Sequence, residues 1–299
     1  MSALIRILRA APLTTVQDLG RPKARAIGLS ASGPMDRSAY AEASALLGQA
    51  GDTALEFTRA GLALTVDHGA ISVAWAGGTF RVRHNTDALP WPGMAEIAAG
   101  DLLEIEPGPA GNYGYLRFDA EAGIDPVLGS RATHLTARIG GLDGRALKAG
   151  DTIAFSGEAL PVIRHSSPAR PEGPIRVVWS LHADLFSPTT RQRFVSSPLR
   201  ISSRLDRMGV RLEDRAGVFA GSTILSLVSD AIVPGDIQIL GDGTPIVLMR
   251  DHQTTGGYPR IATVISADLD RFAQLRPGSD VRFMPVTLDH AQAVSRSAQ

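Results

Sequence analysis

The chain of 299 residues contains no cysteine. It therefore has no disulfide framework, no thiolate nucleophile and no cysteine-ligated metal, which is typical of a cytoplasmic protein. Lysine is nearly as scarce, since Lys23 and Lys148 are the only two. Neither follows a glycine, so the chain lacks a P-loop, and ATP dependence through that motif would require a partner chain.

An excess of charge and long apolar runs are also missing. Basic and acidic residues number 30 each, so there is no net field to hold nucleic acid or an anionic membrane surface, and we expect neither partner. No apolar run reaches membrane-spanning length, and residues 1–13 lack the features of a signal peptide, so we expect a soluble chain. The seven histidines include no pair at zinc-site spacing, and we predict no metal.

Short β-rich runs separated by Gly, Pro and Asp dominate the chain, and this spacing predicts β-barrels or sandwiches. Helical periodicity is clearest at Asp36–Leu47, with Asp36 as the expected N-cap. Shorter helices are expected at residues 188–195 and 268–273. The clearest β-rich runs are residues 62–66, 70–75, 175–179 and 245–249.

A change of composition divides the chain into two lobes. Between His165 and Pro174, Ser, Pro, Gly and charged residues replace the apolar pattern, as in a linker. We predict an N-terminal β-barrel lobe at residues 1–165 and a C-terminal one at residues 174–287. Residues 288–299 have little to bury and are expected to fray.

The polar segment from Asp251 to Tyr258 is the strongest candidate for a binding site. It precedes an apolar run, IATVI, that is expected to form a buried strand. Its Gly-Gly pair either supplies positive φ angles or lets another part of the chain approach closely. The segment either binds a small polar ligand or forms a tight turn whose side chains cap backbone groups. The candidate binding residues are Gln253, Thr254, Thr255, Gly256, Gly257 and Tyr258.

Two arginine-bearing loops are further candidates. The loop Ser202–Leu212 carries Asp206 and Arg207 among other arginines, and Arg131 follows Gly129 and Ser130. Guanidinium groups bind carboxylates and phosphates bidentately, so these loops either anchor an acidic ligand or form solvated basic surface. Gln238 is expected on the strand face opposite Ile237 and Ile239.

The N-terminal third contains three polar features. Gln17, Asp18 and Arg21 lie within one turn of one another, and Asp18 and Arg21 either serve a ligand or form a structural pair. The loop at residues 28–38 leads into a helix whose first amides either hold an anion or are capped by Asp36. Glu56 alternates with apolar neighbours, so we expect it on the solvent face of a strand.

Six motifs occur in collinear order over nearly the whole chain. They are TTVQDLGRP, the GxxxxGxMD pattern ending at Asp36, GSRAT, DRMGVRL, VPGDIQ and DHQTTGGYPRIATVISAD. Together they resemble one family, the biotin-dependent carboxyltransferase or allophanate hydrolase subunit 2 family. It includes the C subunit of bacterial 5-oxoprolinase, KipA (the antagonist of the sporulation kinase inhibitor KipI) and part of the carboxyltransferase region of urea carboxylase.

The resemblance implies a mainly β fold with two cyclophilin-like β-barrel lobes and a few short helices. It also implies a partner of the allophanate hydrolase subunit 1 type, such as KipI or the B subunit of 5-oxoprolinase, with the 5-oxoprolinase A subunit as a further partner. The active site would form between two proteins, so the chain is not expected to act alone.

Three functions are compatible with the family. The favoured one is a component of an ATP-dependent 5-oxoprolinase that opens 5-oxoproline to glutamate, with ATP bound by a partner subunit. The alternative is transfer of a carboxyl group from carboxybiotin, delivered by a carrier domain, to a urea-like amide nitrogen. A non-catalytic regulator of the KipI-antagonist type is the third.

The resemblance suggests a role for each candidate residue in holding a planar amide or ureido group. Asp251, Asp206 and Tyr258 are the expected acid–base or orienting groups, and Arg207 and Arg131 the anion holders. The remaining contacts to substrate or biotin are Gln253, Thr254, Thr255, Gly256, Gly257, Gln238 and Gln17. Ala76, Thr79 and Leu205 stand where relatives commonly carry other, mostly polar, residues, which leaves the substrate open.

Overall fold

The computed structural model of the protein describes residues 2–162, 172–221 and 226–297. The linker predicted at residues 165–174 lies mostly outside these ranges.

Contacts divide the chain into two compact units. Unit 1 comprises Met1–Lys23 and Ala31–Ser167, and unit 2 comprises Ala24–Ser30 and Pro168–Gln299. The short segment Ala24–Ser30, which is remote in sequence from the rest of unit 2, was not expected there.

Unit 1 is built mainly from strands. It contains helix α1 (Arg37–Leu47). A 3₁₀ helix (Pro22–Ile27) begins in unit 1 and continues into the segment of unit 2 that starts at Ala24. Its strands are β1 (Ala3–Ala10), β2 (Thr15–Gln17), β3 (Gln49–Ala50), β4 (Ala54–Thr58), β5 (Leu62–His68), β6 (Ala70–His84), β7 (Asp87–Leu89), β8 (Gly93–Ala98), β9 (Leu102–Phe118), β10 (Glu121–Ala122), β11 (Thr152–Gly157) and β12 (Leu160–Pro161).

Ten of these strands form one sheet that curls into a half-barrel. Its main path runs β10-β11-β1-β5-β9-β4-β2, and β6 pairs with β7, β8 and β9. The long strands β6 and β9 pair antiparallel from Val73 opposite Phe118 to His84 opposite Leu103. Aliphatic side chains and several aromatic rings fill the core, and the Phe57 and Phe80 rings meet edge to face at 5.1 Å between centroids.

The predicted helix at Asp36–Leu47 is confirmed as α1. The Asp36 carboxylate accepts a hydrogen bond of 2.9 Å from the Ala39 amide, which satisfies one of the free donors of the first turn. Gly48 ends the helix with φ of +75°, a conformation that a side chain would disfavour. Tyr40 and Ala43 are buried on the predicted apolar face.

Unit 2 contains the second barrel. Its helical elements are a 3₁₀ turn (Ala183–Leu185), α2 (Pro188–Ser196), α3 (Ser266–Ala273) and α4 (Leu288–Ser297). Its strands are β13 (Ile175–Trp179), β14 (Leu199–Leu205), β15 (Gly209–Glu213), β16 (Asp230–Ala231), β17 (Asp236–Ile239), β18 (Pro245–Leu248), β19 (Thr255–Gly256), β20 (Arg260–Val264), β21 (Asp280–Val281) and β22 (Phe283–Pro285).

Eight of these strands form a nearly closed barrel in the order β21-β14-β15-β18-β17-β20-β13-β22. The edge strands β21 and β22 are separated in the chain only by Arg282, which brings the two edges of the sheet round toward each other. A separate two-stranded ribbon pairs β16 with β19. The fold is thus mainly β with two barrel-like sheets and few helices, as predicted.

The C-terminal tail differs from the prediction. Residues 288–297, which were expected to fray, form helix α4 in contact with α3. Ala291 is buried and Val294 is half-buried. These apolar side chains, three residues apart, lie on one face of the helix, and this small stripe was overlooked. None of the helices within the described residues has the length and hydropathy needed to cross a membrane.

Candidate functional site

Strand β17, which lies between β18 and β20 in the unit 2 sheet, carries buried polar side chains. Asp236 and Gln238 alternate with Ile237 and Ile239, as predicted, but all four side chains are buried. The neighbouring strand β20 places Thr263 opposite Asp236 and Arg260 opposite Gln238. The Asp236 carboxylate accepts 2.6 Å from the Thr263 hydroxyl and 3.3 Å from the Arg260 guanidinium.

The β16–β19 ribbon is held against this face by Arg260. Its guanidinium donates 2.7 Å to the Ala231 carbonyl and 2.5 Å to the Asp230 carboxylate. The register of the ribbon is Asp230 opposite Gly256 and Ala231 opposite Thr255. The ribbon therefore brings the Gly-Gly part of the predicted loop onto the polar face.

The two glycines serve close approach rather than positive φ angles, which settles the alternative that the sequence left open. A Cβ atom at Gly256 would lie 2.6 Å from the Gln238 amide nitrogen, and one at Gly257 would lie 2.8 Å from the Leu227 carbonyl oxygen. Neither glycine has a left-handed φ. The Leu227 amide donates 2.6 Å to the Gly257 carbonyl, which fixes this approach.

Arg207 and Asp251 bind each other. The guanidinium donates to the two carboxylate oxygens at 2.8 and 3.0 Å, and both side chains are only 2% exposed. The Asp251 amide also donates 2.7 Å to the Arg207 carbonyl. The pair ties the β14–β15 hairpin to the loop after β18, so its charges are committed within the fold. This arrangement differs from the separate roles, acid–base group and anion holder, that the sequence suggested.

Asp206 lies at the tip of the β14–β15 hairpin. Its carboxylate accepts 2.7 Å from the Met208 amide and 3.1 Å from the Gly209 amide, and the residue is exposed. Such side-chain-to-backbone bonds stabilise a turn. Leu205, one of the departures from the family pattern, directly precedes Asp206 and pairs with Val210 of β15.

The loop residues before and after the glycines present polar groups to solvent. Gln253, Thr255 and Tyr258 are exposed. The Thr254 hydroxyl donates 3.3 Å to the Gly28 carbonyl, and its own carbonyl accepts 3.2 Å from the Ile232 amide. The loop thus has a fixed backbone and three available polar side chains, the arrangement expected of a binding loop.

His252 was missed in the sequence, although it lies inside the same motif. Its ring is buried, and Nδ1 is hydrogen-bonded to the Gln253 carbonyl. Because a carbonyl can only accept, Nδ1 carries the proton and Nε2 of the neutral ring carries the lone pair. Burial lowers the pKa of His252 below its usual 6.5, and the charge of Arg25 lowers it further against the opposing bond from Gln253. Pairs of histidines at metal-ligand spacing can be recognised in a sequence, whereas the burial of one isolated histidine cannot.

Two buried polar atoms, one in β17 and one in the loop after β18, have no hydrogen-bond partner among the described residues: Nε2 of Gln238 and Nε2 of His252. Leaving a buried polar group unpaired costs about 1–3 kcal/mol. Native structures keep few such groups, and each calls for an explanation.

The other two predicted binding residues, Gln17 and Arg131, lie in unit 1 and are engaged there. The Gln17 amide nitrogen donates to the Thr15 hydroxyl and the Thr133 carbonyl at 3.0 and 3.1 Å. Arg131 donates 2.7 Å from Nε to the Ile124 carbonyl. Both side chains connect loops of the half-barrel in this geometry.

Asp18 and Arg21 do not pair with each other in the described hydrogen bonds. Asp18 accepts from the amides of Gly20 and Arg131 and from the Ser130 hydroxyl. Arg21 donates to backbone carbonyls at residues 127, 130 and 132. Together they hold the loop after Gly129 in place.

Glu56 corrects another expectation, because it is fully buried rather than solvent-facing. Its carboxylate accepts 2.9 Å from the Met35 amide and 2.7 Å from the Tyr115 hydroxyl. The Tyr115 hydroxyl in turn accepts 2.8 Å from the Asp36 amide. Strict alternation failed here because β4 is covered on both faces, on one of them by the loop that leads into α1.

The sequence of the chain matches a known protein family. Residues 27–285 match the family model described as carboxyltransferase domain, subdomain A and B. The chain belongs to this carboxyltransferase domain family. The match spans most of unit 1 and all the described strands of unit 2, including the ribbon and its loop.

Three similar proteins extend the comparison. The C subunit of 5-oxoprolinase from Escherichia coli is 33% identical over 99% of this chain and 96% of its own length. The C subunit of 5-oxoprolinase from Haemophilus influenzae is 32% identical over 98% of this chain and 94% of its own length. The crystal structure of the K. lactis urea amidolyase superposes with a TM-score of 0.87 at 27% identity, covering 99% of this chain. This chain spans only 19% of that longer protein.

Proposed function

We propose that this chain is the C subunit of an ATP-dependent 5-oxoprolinase complex, which opens 5-oxoproline to glutamate together with partner subunits. The observation that carries the proposal is the alignment with two proteins of that name, which covers at least 94% of this chain and at least 94% of each relative.

The proposal assigns ATP to a different component of the complex. The chain has no P-loop and only two lysines. The expected partners are an allophanate hydrolase subunit 1-like protein, corresponding to the 5-oxoprolinase B subunit, and the 5-oxoprolinase A subunit. Because the reaction consumes ATP, we place the complex in the cytoplasm.

The chemistry proposed for unit 2 is recognition of a planar amide. Opening a lactam breaks its C–N bond and adds water, so the carbonyl must be polarised and the leaving nitrogen protonated. Within the proposal, Gln253, Thr255 and Tyr258 contact the substrate, and the Tyr258 phenol serves as the acid–base group. Arg207 and Asp251 position the loop instead of reacting.

The test is co-expression with a subunit 1 homologue and a candidate for the A subunit, followed by an assay for glutamate. We expect glutamate to form from 5-oxoproline only when ATP is present. Tyr258→Phe removes the hydroxyl from an exposed ring and is expected to lower the rate at least tenfold, whereas the fold is unchanged. A complete, folded complex that releases no glutamate would contradict the proposal.

A second function is favoured by the match to the urea amidolyase structure, which covers 99% of this chain. In that case a carboxyl group would pass from carboxybiotin to a urea-like amide nitrogen, with biotin supplied by a carrier domain. The same preparation distinguishes the two, since carboxybiotin would be consumed with an amide acceptor and no glutamate would appear.

A further inference from the structure

Two turns of unit 1 are clamped together by buried polar groups. The first turn is residues 18–21, and the second is residues 127–130, which is closed by hydrogen bonds between the backbones of Val127 and Ser130. The Asp18 carboxylate accepts 2.5 Å from the Ser130 hydroxyl, and the Arg21 guanidinium donates 3.2 Å to the Val127 carbonyl. Both charged side chains are buried. The two turns therefore lie side by side in a fixed arrangement.

Both turns expose large apolar side chains. Leu19 in the first turn is 60% exposed, and Leu128 in the second is 56% exposed. Val127 is 38% exposed, and Pro22 and Pro126 next to the turns are exposed as well. These five residues form what we call the apolar patch. Soluble proteins seldom expose several large apolar groups together, and such patches typically bind another protein.

The other large apolar side chains that are exposed in the described part of unit 1 are dispersed. Leu8, Met94 and Leu160 lie on three different strands, β1, β8 and β12, and these strands do not pair with one another. Single exposed apolar residues are common on protein surfaces and need no explanation. The apolar patch differs because its side chains come from two turns that are held in contact.

Leu128 is an unfavourable residue for the turn that carries it. Leu128 and Gly129 are the two central residues of this turn, with φ of +53° and +78°. Positive φ at both positions is the requirement of a type I′ turn, which favours Asn-Gly and disfavours leucine. Of the six non-glycine residues with a left-handed φ in the described chain, only Leu128 is both apolar and exposed. Neither property stabilises the isolated chain, whereas burial of the side chain against another protein is favourable.

We propose that the apolar patch is the docking surface for the subunit 1-like partner of the 5-oxoprolinase complex. The inference rests on the proposed function, in which this chain lacks a P-loop and associates with unlike subunits that handle ATP. That requirement favours a different protein over a second copy as the occupant. The exposed Lys23 and Asp125 flank the patch, like the polar rim of a protein interface. Because the clamp fixes both turns in advance, Leu19 and Leu128 lose little conformational freedom when an apolar surface covers them.

The test measures the affinity of the full chain for the purified subunit 1 homologue by calorimetry. Leu128→Asn removes the apolar side chain and installs the residue that the turn favours, so the isolated variant should have a Tm at least as high as wild type. We expect the Kd to rise about tenfold in Leu128→Asn and in Leu19→Asn, and further in the double variant. Leu160→Asn is the matched control, since Leu160 is 59% exposed outside the patch, and it should keep the wild-type Kd. An unchanged Kd in the double variant would overturn the docking surface.

A second measurement identifies the occupant and separates this inference from the proposed function. Light scattering gives the mass of the isolated chain, and a dimer that Leu128→Asn dissociates would overturn the proposal in favour of a second copy. A wild-type chain that does not bind the subunit 1 homologue would overturn it as well. Binding that depends on Leu19 and Leu128, in a complete complex that releases no glutamate, would support the docking surface and contradict the proposed function instead.

Discussion

Arg207 and Asp251 form a bidentate ion pair in which both side chains are almost fully buried. Taking two charges out of water is costly, and their mutual bonds offset that cost only while both are present. Their contribution is therefore best measured by removing one partner.

Arg207→Met is expected to lower the free energy of unfolding by about 3–5 kcal/mol, since Asp251 would be left charged and buried. Urea unfolding measures the loss. Arg215→Met is the control, because the Arg215–Glu213 pair is exposed and worth about 0–1 kcal/mol. Equal losses in the two variants would show that burial does not govern the Arg207 pair.

Gly257 gives a second prediction at this scale. A methyl group at Gly257 would lie 2.8 Å from the Leu227 carbonyl, a backbone atom, so either the loop or the segment at Leu227 must shift. We expect Gly257→Ala to cost about 1–3 kcal/mol in thermal or urea unfolding. Gly221→Ala should be neutral, as nothing lies within 4 Å of its added Cβ. A Gly257→Ala variant as stable as wild type would contradict this close approach.

The residue scale is where the sequence was least informative. The motif around Asp251 was visible, but which of its polar groups point to solvent and which pair internally depends on burial by distant segments. Glu56 and His252 show this in opposite ways. Glu56 was expected in solvent and is buried, and His252 was passed over and is a buried acceptor.

At the scale of elements, α3 is joined to β13 by Asp268 and Arg176. The Asp268 carboxylate is buried and accepts bonds from Arg176 of 2.7, 3.1 and 2.6 Å. Burial alone would raise the pKa of Asp268, but the bonds from Arg176 and the charge of Arg271 outweigh it and lower the pKa. The carboxylate is thus stabilised in its charged form by folding.

The sign of the pH dependence follows from that shift. A carboxyl group with a lowered folded-state pKa stabilises the fold fully above its unfolded pKa of about 3.8, and the contribution is lost as pH falls through the folded value. Asp268→Asn should flatten the acid side of the curve of unfolding free energy against pH. Asp289→Asn, at an exposed position of α4, should leave it unchanged. An unaltered acid limb in Asp268→Asn would contradict the coupling.

Elements were predictable where local signals agree. The N-cap and periodicity located α1, and the helix expected at residues 188–195 is α2 (Pro188–Ser196). The prediction for residues 288–299 missed helix α4, because its apolar stripe is short and its contact with α3 is not visible in any local pattern. The β16–β19 ribbon pairs segments about 25 residues apart and was likewise invisible.

At the scale of the whole molecule, family and fold class followed from six collinear motifs, and the comparisons confirm both. Such motifs can be recognised in a sequence from their length and spacing, even when their side chains have structural roles. The assignment of Ala24–Ser30 to unit 2 needed three-dimensional contacts. Ala76 is buried in β6 and Thr79 is exposed in the same strand, so these two departures from the family pattern belong to unit 1, whereas the loop Asp251–Tyr258 belongs to unit 2.

The most direct measurement is ATP-dependent glutamate release from 5-oxoproline by the partner subunits with and without this chain. We expect glutamate to form only when this chain is present, and activity to be lost in Tyr258→Phe. Glutamate formed at the same rate without the chain, or none formed by the complete folded complex, would contradict it.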